Sequence, residues 1–123
     1  MGIGGIETGV RDIAKYLNKK KFDNYILCES SNKNLKIKGL KIIKLDNLKF
    51  KNIFDQNKIK MQIQQLIRKK RINLVHISSR APAFFLIKYF KNLNLKVVTS
   101  VHNKYESKSF LKDWYNSFLL KGD

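Results

Sequence analysis

The sequence predicts an α/β fold, a doubly wound parallel sheet with helices on both faces, and three observations carry that expectation. Segments with apolar residues at three- and four-residue steps alternate along the chain with short runs that are apolar at consecutive positions. Those runs read as strands buried on both faces, the pattern of a parallel sheet covered by helices. The 123 residues include one proline and no repeated or Gly/Ser-rich stretch, so the chain reads as one compact domain without linkers.

The elements follow in order. From Glu7 to about Lys20, Val10, Ile13, Ala14 and Leu17 line one face of a helix, with lysines 15, 19, 20 and 21 closing it. Tyr25 to Cys28 and Lys41 to Leu45 are short strands on either side of a polar loop running from Asn32 to Gly39. Between Asn57 and Lys70, Ile59, Ile63, Leu66 and Ile67 mark the inner face of a basic amphipathic helix. Leu74 to Ile77 is the third strand, and Ala81-Pro82 starts a helix to about Asn94, with proline in the first turn where its missing N–H costs nothing. Val97 to Val101 is the fourth strand. The loop from His102 to Ser107 leads to a last helix, Lys108 to Lys121, whose Leu111, Trp114, Tyr115, Phe118 and Leu119 share a side and read as core.

Charge narrows the partners. With 26 basic and 9 acidic residues the chain carries +17, which calls for an anionic partner such as nucleic acid or a lipid surface. Only four basic residues are arginine, beside many Ile, Asn and Phe, a bias that an A- and T-rich genome produces, so part of the lysine is background. No nucleic-acid-binding motif accompanies the charge, and the aromatics sit at helical spacing instead of on a sheet face, so nucleic acid is not the expected partner. Cys28 stands alone and has no metal-ligand spacing to His76 or His102; neither a disulfide framework nor a metal site is expected, and Cys28 reads as core packing. No apolar run approaches the ~18 residues of a membrane span, and the first twenty residues lack a secretory pattern. The expectation is a cytoplasmic protein.

Four groups of residues can carry chemistry. The turn Gly4-Gly5-Ile6-Glu7-Thr8-Gly9 lets the backbone approach a ligand and opens a helix whose free N–H groups suit phosphate, although the same turn can be a plain chain start. Ser78-Ser79-Arg80 and His102 each follow a predicted parallel strand, where open α/β sheets bind ligands. Arg80 is then either a two-pronged phosphate ligand or a solvated arginine, and His102 either a substrate-orienting imidazole or a loop histidine. His76, inside an apolar strand, reads as a hydrogen-bonded core histidine. Lys58, Lys60, Arg68 and Lys69 either cover a solvated helix face or contact anionic lipid.

Gly4-Gly5-Ile6-Glu7-Thr8-Gly9, then Leu74 to Ala83 with its Ser-Arg-Ala-Pro-Ala string, then Val98 to His102, then Ser109 to Asn116, in this order, resemble the N-terminal domain of glycosyltransferase family 4. The likeness covers nearly the whole chain. It implies half of a GT-B fold, a Rossmann-like domain that faces a donor-binding domain across a cleft in a retaining, metal-independent enzyme. Many relatives build lipopolysaccharide and other cell-surface glycans. By that resemblance Gly4 and Gly5, with Glu7 and Thr8 in the same turn, lie on the nucleotide-sugar side, near the donor diphosphate. His102 contacts the transferred sugar, and Ser79 and Arg80 line the acceptor side. Ser78 and Asn103 depart from the pattern that the resemblance implies, in which relatives often carry a histidine and a glycine there. The implied partners are a nucleotide-sugar donor, a lipid-linked or saccharide acceptor and an anionic membrane surface at the inner face of the cytoplasmic membrane. Other readings are a small basic nucleic-acid-binding module and an inactive remnant of a split gene.

The resemblance also makes both ends look cut. A doubly wound domain normally begins with its central strand, whereas Met1 is followed at once by the Gly-rich turn; Lys121-Gly122-Asp123 reads as a helix C-cap running toward a further strand, and the donor-binding domain lies outside these residues. The expected outcome is that residues 1–123 alone lack a sharp unfolding transition, because the strands at Tyr25 and Leu74 share a missing neighbour. Calorimetry checks this, and a two-state melt of the isolated chain would contradict it.

Overall fold

A computed structural model describes residues 5–29, 39–46, 48, 53–100, 109–117 and 120–123. Helices and parallel strands alternate, with helices packed on the strands, and the fold is a Rossmann-like α/β. The order is α1 (Gly5–Tyr16), β1 (Tyr25–Glu29), β2 (Lys41–Leu45), α2 (Ile53–Lys70), β3 (Leu74–Ile77), α3 (Arg80–Asn92), β4 (Lys96–Thr99) and α4 (Phe110–Ser117). The described strands form two two-stranded parallel sheets, β1 with β2 and β3 with β4. The chain divides into two compact units, residues 1–48 and 49–123.

In the first unit α1 packs on β1. The helix begins two residues before the expected start at Glu7, so Gly9 lies inside it, and it stops at Tyr16 instead of running to Lys20. Asn18 is the reason for the early stop. Its Oδ1 accepts the N–H of Lys20 at 2.9 Å, and its carbonyl accepts those of Lys21 and Phe22 at 3.0 and 2.9 Å, so the lysine run is folded into a turn instead of a helix. Asn24 Nδ2 then donates to the Ala14 carbonyl at 2.6 Å, which ties the helix to the start of β1. Tyr25 pairs with Lys41 in the ladder. Asp23 pins that register, because the Lys41 ammonium bonds its carboxylate and the Tyr25 hydroxyl donates to it at 2.9 Å. Gly39, with φ +83°, makes the bend that leads into β2.

The second unit contains two successive helix–strand steps that end in the same way. At the end of α2 the Ile72 N–H donates to the Ile67 carbonyl and the Arg71 N–H to that of Arg68, with Arg71 at φ 51°. At the end of α3 the Leu95 N–H donates to Phe90 and the Asn94 N–H to Lys91, with Asn94 at φ 56°. Both are Schellman closures with a left-handed residue just past the helix. This is why α3 ends at Asn92 instead of Asn94. Each strand begins within three residues, and the Lys96 N–H donates to the Asn73 carbonyl at 3.1 Å where the two strands meet. Leu74 pairs with Lys96, Val75 with Val97, His76 with Val98 and Ile77 with Thr99.

The core of this unit lies under α3. Ala83, Leu86, Ile87 and Phe90 of the helix are buried, as are Ile77 and Val97 of the strands, with Val97 at 0% exposure. Ile59 and Ile63 of α2 are buried as their spacing requires, and the Tyr89 hydroxyl of α3 donates to the Lys60 carbonyl at 3.1 Å. The other face of the β3–β4 pair carries Leu74 and Val98, which are 47% and 42% exposed. Helix α4 packs on α3 through Trp114, whose ring meets Phe84 edge-on at 4.9 Å. Its helical residues end at Ser117, and two members of the expected stripe, Leu111 and Trp114, are exposed. The side chains of Tyr115, Phe118 and Leu119 lie outside the described residues.

Gly122 and Asp123 run along the outer edge of β4. The Asp123 N–H donates to the Val97 carbonyl at 2.6 Å, and its carboxylate accepts the Val97 N–H at 2.8 Å. Gly122 therefore serves close approach instead of a helix cap, since a Cβ there would stand 3.1 Å from the Val97 carbonyl oxygen.

Two outcomes follow. Arg71→Gly is expected to stabilise the chain by about 0.5–1 kcal/mol and Arg71→Val to destabilise it by about 1 kcal/mol, because only glycine adopts a left-handed φ without steric cost. Native-state hydrogen exchange at the Arg71 and Ile72 amides, which reads local opening, checks both, and a glycine variant no better protected than the parent would contradict the cap. The Val97 N–H and the Lys91 ammonium hold the Asp123 carboxyl below its ordinary value of 3.8. A depressed folded value means that the contribution is complete above pH 3.8 and disappears as pH falls through the lower folded value. Asp123→Asn is expected to flatten that acid limb, read as hydrogen-exchange protection of the Val97 N–H against pH, and to leave the neutral-pH behaviour unchanged.

Candidate functional site

Parallel pairing places the C-terminal ends of β3 and β4 side by side. The Ser100 N–H donates to the Ile77 carbonyl at 3.1 Å, which continues the ladder one step past β4. From this edge the chain leaves β3 through Ser78 and Ser79 into α3, and leaves β4 through Ser100 toward residue 102. Ser78, Ser79 and Arg80 therefore stand beside the point from which the segment bearing His102 departs. His102 itself lies outside the described residues.

Ser79 is the N-cap of α3, with extended φ −135° and ψ 142°. Its carbonyl accepts the Ala83 N–H at 3.2 Å, which starts the helix. Its hydroxyl makes no capping bond, and no acidic residue stands in the first turn. Pro82 occupies the third helical position, where no intrahelical donor is required. Arg80 is the first helical residue, and both Ser79 and Arg80 are exposed. An exposed hydroxyl, a guanidinium and the positive end of a helix dipole at one point suit the oxygens of a saccharide or a phosphate.

His76 occupies the same region of the pair. It is half-buried, and its Nε2 is hydrogen-bonded to the Ser100 hydroxyl. A bonded histidine is what its place in an apolar strand predicts, but the partner escaped sequence reading. Ser100 is polar at a strand end, a common arrangement; only the register of β3 on β4 makes it the neighbour of His76.

The glycine-rich start belongs to the first unit. Gly5 is the first residue of α1 and exposed, with open space where a Cβ would stand. Glu7 lies half-buried in the first turn, where its carboxylate complements the helix dipole, and Thr8 is exposed. Gly4 lies outside the described residues.

A family model described as Glycosyltransferase Family 4 matches residues 3–122. The chain belongs to glycosyltransferase family 4. No curated protein and no solved structure matches it. The matched span takes in the strand end at Ser79-Arg80, the start of α1 and the position of His102, so every residue that the resemblance singled out falls inside the family 4 region.

The basic side chains of this family 4 domain do not form one stripe. Lys58, Arg68 and Lys69 of α2 are exposed, whereas Lys60 is half-buried with its ammonium 5.8 Å from the centre of the Tyr89 ring. Burial raises the Tyr89 phenol above its ordinary value, and the positive charge of Arg68 opposes that rise. Among the described residues no three His, Cys, Asp or Glu side chains gather as metal ligands, and no helix is long and apolar enough to cross a membrane.

Proposed function

We propose that the chain is the acceptor-side domain of a retaining GT-B glycosyltransferase. The enzyme moves a sugar from a nucleotide-sugar donor, without a metal, to a lipid-linked or saccharide acceptor in the synthesis of a cell-envelope glycan of the lipopolysaccharide type. It works at the cytoplasmic face of the membrane, where Lys58, Lys60, Arg68 and Lys69 of α2 meet anionic lipid. Family membership carries the reaction class. The observation that supports this use of the site is the convergence of Ser79 and Arg80, at the open start of α3, with the end of β4 that leads to His102.

In retaining transfer the bond from the sugar to the diphosphate breaks as the acceptor oxygen bonds to the same face, and negative charge grows on the leaving phosphate. Backbone N–H groups at a helix start stabilise such charge, the part assigned to Gly4 and Gly5 with Glu7 and Thr8 beside them. His102 holds the transferred sugar through hydrogen bonds and so positions the reacting carbon, while Ser79 and Arg80 hold the acceptor.

In the transferase that carries these residues, His102→Ala is expected to lower kcat by about 10²–10³-fold with the fold intact, the scale of losing a group that binds more tightly in the transition state. Arg80→Ala is expected to raise the acceptor KM with kcat retained. Steady-state assays of sugar transfer separate the two effects. Near-normal turnover of the histidine variant removes the catalytic role, and an unchanged acceptor KM removes Arg80 from the site.

A further inference from the structure

His76 stands on the face of the β3–β4 pair opposite the buried core. The register sets it against Val98, and strand alternation puts it on the same side as Leu74, Val98 and Ser100, while Val75, Ile77 and Val97 turn to the other side. An apolar side chain would serve the strand at this position, since Leu74 and Val98 beside it are apolar and partly exposed. A half-buried imidazole, in contrast, costs free energy unless it is bonded. Its Nε2 is bonded to the Ser100 hydroxyl, two residues beyond its own pairing partner, so the bond runs diagonally toward the C-terminal end of β4. Ser100 is thereby held twice from β3, because its N–H also donates to the Ile77 carbonyl at 3.1 Å. Residue 102 follows two positions later, and two peptide units of 3.80 Å put its Cα no more than about 7.6 Å from that of Ser100.

We propose that His76 is a positioning residue for sugar transfer, which through the Ser100 hydroxyl fixes the point and direction in which the segment bearing His102 leaves β4. The inference rests on the reading of His102 as the group that holds the transferred sugar, and adds the device that aims it. A strand end held by one ladder bond frays and twists about that bond, and a second bond on the face of the sheet removes the freedom. Both arms of the site are then referred to one strand. β3 runs directly into Ser78, Ser79 and Arg80, and its His76 and Ile77 hold the exit of β4. Transfer needs the sugar and the acceptor aligned to about 0.5 Å, and a misplacement of about 1 Å costs as much as about 10²-fold in rate. The part of His76 is orientation, exerted through Ser100.

Steady-state sugar transfer by the transferase that carries these residues provides the test. His76→Phe, which keeps a ring and loses the bond, and Ser100→Ala are each expected to lower kcat about 10- to 100-fold, with the donor and acceptor KM values within about twofold of the parent. The double variant is expected to be no slower than the slower single one, because both substitutions break the same bond. Ser100→Thr keeps the hydroxyl, and His76→Gln keeps a hydrogen-bonding amide of similar reach, so each is expected to recover most of the rate. In the His102→Ala background His76→Phe and Ser100→Ala are expected to cost no more than about a further twofold, since the group they aim is gone. Circular dichroism and the melting temperature identify a variant that has lost its fold; if His76→Phe has done so, the contrast between Ser100→Ala and Ser100→Thr carries the test. Near-normal kcat of Ser100→Ala overturns the positioning role, as do additive losses in the double variant or an undiminished loss in the His102→Ala background. A rise in KM with kcat retained overturns it in favour of direct substrate binding. If His102→Ala itself turns over near-normally, the reading of His102 fails and this inference with it, whereas a loss at His102 with none at Ser100 overturns this inference alone.

Discussion

Val97 is the residue on which the second unit depends. Its side chain is fully buried and its partner across the ladder is Val75. In a parallel pair the backbone groups of successive residues point alternately to one neighbour and to the other. Lys96 and Ser100 donate toward β3, which turns the N–H and carbonyl of Val97 to the opposite side, and buried backbone groups need partners there. Asp123 supplies both with its carboxylate and its own N–H. One buried valine thus brings together β3, β4 and the segment at Gly122, and the close approach of that segment explains why a glycine precedes Asp123.

From that pairing the site follows. Helices α2 and α3 close through the same pair of hydrogen bonds around a left-handed residue, and each delivers the chain to a strand within three residues. Two identical steps make two parallel strands whose C-terminal ends lie together. Ser78, Ser79 and Arg80 follow one of these ends and Ser100 the other, and His76 bonds the Ser100 hydroxyl, because topology brings together chain positions more than twenty residues apart. The proposed acceptor site uses this edge, since a saccharide offers many hydroxyls and little apolar surface.

By itself the sequence determined the order and type of the eight described elements, the inner face of α2, and the family resemblance that the match over residues 3–122 establishes. These are local properties, since periodicity, the proline in the first turn of α3 and contiguous motif strings are written within a few residues of one another. Helix ends were less legible, because Asn18, Arg71 and Asn94 stop their helices through bonds whose strength depends on the turn that follows. Only the tertiary structure decided that His76 bonds Ser100, that Asp123 completes Val97, and that Leu111 and Trp114 of α4 are exposed. An apolar face is specified by its own residues, but whether it is covered is specified by whatever packs against it.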